Sequence, residues 1–178
     1  MTIATASGSL LLVIDFQGRL MPAISGGAEA VANAGRLIAA ARLLGVPVVY
    51  TEQNPKGLGG TVSELAPRAA DTVLAKMTFD AWRSPEVRGA VPDGLELVVT
   101  GCEAHVCVLQ TVLGALADGR RVKVVRDAVG SRRETSHAAA LDRMARHGAE
   151  IVTAEMVVFE WLGSAEHPHF KEAIALIK

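Results

Sequence analysis

Hydrophobic positions along this chain fall into two alternating patterns. Short, continuous apolar runs recur: SLLLVID (Ser9–Asp15), VPVVYTEQ (Val46–Gln53), TVLAK (Thr72–Lys76), LELVVTG (Leu95–Gly101), RVKVVRDA (Arg121–Ala128) and AEIVTAE (Ala149–Glu155). A strand with one wet face alternates apolar and polar residues. These runs do not, so they predict strands covered on both faces of a parallel sheet. Between them the apolar residues take helical spacing. The segment Gly27–Gly45 carries Val31, Ala34, Leu37, Ile38 and Leu44 and stops at a glycine. The segment Ala104–Gly119 carries Val108, Leu109, Val112, Leu113 and Leu116, and Arg132–Gly148 ends in His-Gly. Strand–helix alternation predicts βαβ units: an α/β fold with a three-layer, doubly wound, Rossmann-like sheet of about six mainly parallel strands. The Gly- and Pro-rich NPKGLGGTV (Asn54–Val62) is expected to be loop after the second strand. No repeat, low-complexity tract or linker interrupts the pattern, so residues 1–178 are expected to form a single domain.

Composition sharpens this. Half the residues are hydrophobic but only 4% are aromatic, so the core must be aliphatic. Eighteen Lys and Arg against nineteen Asp and Glu leave a net charge of −1, which offers no electrostatic footprint for nucleic acid or an anionic membrane. The opening MTIATASGS lacks the basic residues and apolar run of a signal peptide. The apolar runs fall far short of the roughly 20 residues a membrane span needs. Two cysteines make no disulfide framework. A reduced, cytoplasmic protein is the expectation. Neither a P-loop nor a G-x-G-x-x-G is present, so no nucleotide cofactor is expected.

In open α/β sheets ligands bind beyond the carboxyl ends of the strands. Asp15 ends the first apolar run and Lys76 the third. Gly101 ends the fourth, and Cys107 follows in the first turn or so of the next helix. A carboxylate, an ammonium and a thiol thus fall at one edge of the sheet. Helix N-terminal amides and a nearby ammonium would favour the Cys107 thiolate, and a neighbouring carboxylate could take and return its proton. The bland alternative is a buried cysteine on an apolar helix face and a strand-end aspartate acting as a cap. Cys102, directly after Gly101 in a strand-to-helix turn and with no charged partner in view, reads as structural filler. A zinc site needs more ligands at ordered spacing than CEAHVC or the distant His167–His169 provide, so no metal is expected.

Three segments carry a family resemblance: LLVIDFQ with its D-x-Q, LAKMTFDAW around the lysine, and VVTGCEAHVCVLQT around the cysteine. Together they resemble the isochorismatase-like cysteine hydrolase superfamily over nearly the whole chain. TEQNPKGLG, RVKVVRDAVGSR and FKEAIALIK bring it nearest the isochorismatase-domain-containing branch. The resemblance implies a Cys–Asp–Lys triad, here Cys107, Asp15 and Lys76. It implies a non-proline cis peptide before the cysteine, at Glu103–Ala104, and an oxyanion hole from the backbone N–H groups of Ala104 and Cys107. Alanine at 104 stands where the family often has threonine, which removes a hydroxyl but not the N–H. Nicotinamidases of the superfamily bind a metal through an Asp and two His after the second strand. TEQNPKGLGG has neither residue type, so the resemblance implies no metal here and argues against nicotinamide. Members that act on isochorismate can lack the cysteine; this chain keeps it. Members are commonly oligomeric, and Glu155–Phe170 is apolar enough to be an interface candidate.

The expected activity is therefore hydrolysis of an amide-like C–N bond in a small molecule through a thioester on Cys107, by a homo-oligomer of dimer size or larger. Candidate substrate-binding residues are Phe16, Gln17, Gln53, Phe79, Trp82 and His105, each with a packing or surface role as its alternative. Arg132 and Arg133 are either a carboxylate clamp or structural ion pairs, and Asp127 is expected to cap a turn. Two other classes stay open: a catalytically silent oligomeric scaffold of the same fold, and a thiol redox protein using Cys102 and Cys107. The second lacks a C-x-x-C spacing.

Overall fold

The computed structural model describes residues 3–178. Its strands are β1 (Ser9–Ile14), β2 (Val48–Gln53), β3 (Thr72–Lys76), β4 (Glu96–Cys102), β5 (Val122–Gly130) and β6 (Glu150–Val152). The helices are α1 (Gly27–Leu44), α2 (Pro55–Leu58), α3 (Pro85–Gly89), α4 (Leu109–Ala117), α5 (Glu134–Arg146), α6 (Ala154–Leu162) and α7 (Phe170–Ile177). The strands form one sheet in the order β3-β2-β1-β4-β5-β6, and every pair is parallel. The expected doubly wound α/β fold is therefore present.

The lack of apolar/polar alternation has its cause in β1. Leu11 and Val13 face the layer of α1, α6 and α7, packing with Leu37, Ile38, Val157, Val158 and Trp161. Leu10, Leu12 and Ile14 face the opposite layer, with Val108, Val112, Leu141 and Met144. Both faces are dry, and each such buried aliphatic side chain contributes about 1.5–3 kcal/mol. Helix α1 ends where Gly45 takes a left-handed conformation (φ 73°) and its N–H returns to the Ala41 carbonyl.

The edges depart from the expectation of strands covered on both sides. In β3, Thr72, Val73 and Ala75 are exposed, because β3 is the outermost strand of the sheet, paired on one side to β2. The Asn54–Val62 segment is not wholly loop: Pro55, with its φ preset for a first helical position, opens the one-turn helix α2. The proposed interface segment Glu155–Phe170 spends Val157, Val158, Trp161 and Leu162 on the core, leaving Met156 and Phe159 as its exposed large hydrophobics. Among the described residues no helix is long and apolar enough to cross a membrane.

The topology sets the site. The chain winds from β1 outward to β3, then returns to β4 on the other side of β1. The carboxyl ends of β1 and β4 therefore flank the point where the winding reverses, the usual place for a ligand crevice.

Candidate active site

Asp15 is the first residue past β1. Its backbone is left-handed (φ 52°), unusual for a non-glycine residue and a store of about 1–3 kcal/mol of strain. Surrounding bonds hold it there. Its N–H donates to the Thr51 carbonyl at 3.0 Å, and its own carbonyl accepts from Gln17 N–H at 2.8 Å. The carboxylate is fully buried. The Thr51 hydroxyl donates to Oδ1 at 2.7 Å and the Lys76 ammonium to Oδ2 at 2.7 Å. Each carboxylate oxygen has a further lone pair, so the group can still accept a proton.

Lys76 ends β3, and its side chain is as buried as its partner's, 1% against 0%. Its ammonium also donates to Gln53 Oε1 at 2.8 Å and to the Thr78 carbonyl at 3.3 Å. All three protons are used, which is what keeps a charge tolerable away from water. Gln53 is in turn fixed by donating through Nε2 to the Met77 carbonyl at 2.8 Å.

The third group arrives from β4. Gly101 (φ 148°) lies so close to β1 that a Cβ there would meet the Ile14 carbonyl oxygen at 2.3 Å; only glycine fits. After Cys102 the chain turns at once into a π-helical turn, Ala104–Val108, in which Val108 N–H reaches back to the Glu103 carbonyl. The non-proline cis peptide is Cys102–Glu103, one bond earlier than the expected Glu103–Ala104, because β4 pairs with Gly130 as far as Cys102 and the reversal follows directly. Ala104 and Cys107 are the first and fourth residues of the turn, so their N–H groups are among the donors a helix start leaves free.

Cys107 is 6% exposed, and its thiol lies near enough to Asp15 and Lys76 for both charges to act on it. The structure thus gathers Asp15, Lys76 and Cys107 at one point. It corrects the expectation of a resting thiolate: burial first, then the Asp15 charge, push the Cys107 thiol up to about 12, and Lys76 offsets only part of this. The ammonium is committed to Asp15, so the sulfur keeps its proton. Cys102 is completely buried, and its thiol is pushed up further, again chiefly by burial. The two cysteines are free and belong to core clusters on opposite sides of the sheet, which speaks against a redox pair.

The other expected site residues divide. Phe16 does not wall a pocket: it is 1% exposed and packs in the α1-side core, away from the Cys107 cluster. Gln17 is not free for a substrate. Its Nε2 donates to the Gln53 and Gly59 carbonyls and its Oε1 accepts from Gln53 N–H, tying β1 to β2 and the following loop. Gln53 braces Lys76. Trp82 shares the Cys107 cluster, yet its indole N–H donates to Asp118 at 3.0 Å and Arg120 lies over its ring. Phe79 is 52% exposed beside the lysine segment. His105 faces Ser131, 3.0 Å from Nδ1 to Oγ. Arg132 pairs with Glu103 at 3.0 Å, and Asp127 accepts from Ala154 N–H at the start of α6, the expected capping role. Thr51, which holds Asp15, was not anticipated from the chain. A threonine inside a strand carries no local mark of function, though a two-residue step along β2 puts it on the face that Gln53 shares.

Comparison with known proteins agrees with this architecture. Residues 9–156 match the model of the isochorismatase domain. Isochorismatase domain-containing protein 1 of Salmo salar is 41% identical over 92% of this chain and 59% of its own length. The protein of that name from Danio rerio is 39% identical over 96% of this chain and 61% of its own. The chain thus spans about three fifths of these relatives. Among solved structures, MAR1 ribonuclease from Caenorhabditis elegans superposes with a TM-score of 0.94 at 36% identity, covering 99% of this chain and 92% of that one. YcaC from Pseudomonas aeruginosa, carrying a covalent acrylamide, gives 0.91 at 25% identity over 98% and 91%. The Escherichia coli YcaC product, described as an octameric hydrolase of unknown specificity, gives 0.85 at 25% identity over 99% and 88%.

Proposed function

Since this chain belongs to the isochorismatase domain family, we propose that it is a cysteine-dependent hydrolase of small molecules, cleaving an amide-like C–N bond. One observation carries the reading. A fully buried Asp15–Lys76 ion pair, 2.7 Å between Oδ2 and Nζ, has the Cys107 thiol against it at the sheet's switch point. A packing role for the cysteine does not call for a buried charge pair beside it, since such pairs cost desolvation and add little stability over apolar residues. That cost also disfavours a silent scaffold.

The cycle follows from the protonation states. Cys107 is a neutral thiol at rest, so proton transfer accompanies attack. As Sγ bonds to the carbonyl carbon, its proton passes to Asp15 and the carbonyl electrons move onto oxygen. The N–H groups of Ala104 and Cys107 receive that oxyanion. When it collapses, the C–N bond breaks, the nitrogen takes the proton from Asp15, and the amine leaves behind a thioester. Water then gives a proton to Asp15 while its oxygen attacks the thioester. The sulfur leaves and regains the proton, releasing a carboxylic acid. Lys76 stays charged throughout and holds Asp15 in position. The covalent acrylamide on a related protein supports a nucleophile able to reach an amide-bearing ligand. A homo-oligomer is part of the proposal, supported by the octameric relative.

The test is a panel of small primary amides, ureido acids and imides, with single-stranded RNA added because one structural neighbour is described as a ribonuclease. Wild type should release amine from a panel member, and Cys107→Ala should not. Intact mass during turnover should show the substrate's acyl group added to the wild type alone. Turnover that survives in Cys107→Ala, or cleavage of RNA and of no amide, would overturn the proposal.

A further inference from the structure

Two residues before Cys107, in the same π-helical turn, His105 lines a cavity of about 340 Å³ whose other walls are Arg132, Arg133 and Ser136. We propose that this cavity binds the carboxylate of the substrate, so that the amide hydrolysed is one carried by an organic acid. This inference rests on the proposed hydrolase reading and names its substrate class.

The lining is built from donors. The Ser131 hydroxyl occupies His105 Nδ1 at 3.0 Å, which leaves Nε2 for a ligand. Glu103 accepts from both the backbone N–H and Nε of Arg132, at 2.9 and 3.0 Å. That pair turns one edge of the guanidinium toward Glu103 and leaves its two terminal nitrogens. Among the described residues Arg133 forms no ion pair or side-chain hydrogen bond, and neither does the Ser136 hydroxyl. Glu103 is matched by Arg132, and among the described residues Arg133 has no ion-pair partner, so it adds a positive charge to the cavity. Glu134 opens α5 but lines a separate cavity, with Glu29 and His137.

Backbone adds to this. Helix α5 starts at Glu134 with Arg133 as its first flanking residue, and no side chain caps it. Its first N–H groups therefore lack a side-chain acceptor, as at helix starts that hold an anion. An unpaired guanidinium, an imidazole nitrogen, a hydroxyl and an uncapped helix start all meet in one cavity of small-molecule size. A planar carboxylate suits them, because a guanidinium binds it through two parallel N–H donors. The same donors would take inorganic phosphate, which the test separates.

Succinamate and its neutral methyl ester are the probes, titrated calorimetrically into Cys107→Ser protein, where no hydrolysis competes. Succinamate should bind at least tenfold more tightly than the ester. Arg133→Gln should weaken succinamate about tenfold and leave the ester unchanged, the expected loss of one charge-assisted contact at a partly hydrated site. Raising NaCl from 0.05 to about 0.5 M should weaken only the acid. Equal affinity for acid and ester, no effect of Arg133→Gln, or tighter binding of inorganic phosphate than of succinamate would overturn the proposal. Turnover of the same pair by wild type, read as amine release, reports separately on the hydrolase reading. If neither compound is cleaved but Arg133-dependent binding persists, only the chemistry fails. If both are cleaved with equal KM, only the carboxylate site fails.

Discussion

Replacing Lys76 by methionine removes the counter-ion bonded to the fully buried Asp15 carboxylate. Lys76 supplies one of the two side-chain donors to Asp15, and both partners are at most 1% exposed. Leaving a buried charge unpaired costs about 3–5 kcal/mol, whereas replacing both members of a buried pair by neutral groups costs little. Lys76→Met should therefore lose about 3–5 kcal/mol. Asp15→Asn with Lys76→Met should recover most of that, staying within about 1–2 kcal/mol of wild type. Asp15→Asn alone strands the buried Lys76 ammonium and should also cost about 3–5 kcal/mol, so the coupling energy of the cycle should be at least about 4 kcal/mol, well above the roughly 0.5 kcal/mol seen for independent sites. Urea unfolding at pH 7 reads all four proteins, at one protein concentration so that any assembly contributes equally. If the double variant is as unstable as the sum of the singles, the pair is not the electrostatic unit described.

Four further outcomes follow from the same geometry. With its thiol pushed up to about 12, Cys107 should react with iodoacetamide slowly at pH 7 and about tenfold faster per pH unit up to pH 10, whereas a plateau near neutrality would mean a resting thiolate. An unfolded thiol titrates near 9.0, so the unfolded chain loses the proton first; the stability is fully present below that pH and declines as pH rises from 9 toward 12. Urea midpoints of Cys107→Ser should decline less over that window than those of wild type, and parallel declines would refute the assignment. Thr51→Val removes the donor to Asp15 Oδ1 and should cost about 1–3 kcal/mol in thermal or urea unfolding, with Thr51→Ser restoring most of it; equal losses in both variants would point to packing instead. Gly101→Ala would drive a Cβ to 2.3 Å from the Ile14 carbonyl oxygen and should abolish soluble expression, and a melting temperature within a few degrees of wild type would contradict the close approach of β4 to β1.

The architecture was legible because burial on both faces leaves a plain mark: apolar runs without alternation, separated by helical spacing and glycine stops. That pattern alone brings Asp15, Lys76 and Gly101 to strand ends and Cys107 to a helix start. Strand identity did not reveal the edges: TVLAK reads like a covered strand, yet β3 lies outermost, since strand order depends on crossovers and not on composition. Local reading also erred by one bond at the cis peptide and gave Phe16 and Gln17 to a substrate when packing and backbone carbonyls claim them. The protonation of Cys107 lay beyond the chain's reach altogether. A helix start and a nearby lysine argue for a thiolate, but the outcome depends on how deeply the sulfur is buried and on which anion the ammonium already holds. Those are distances between residues far apart in sequence, and only folding assigns them.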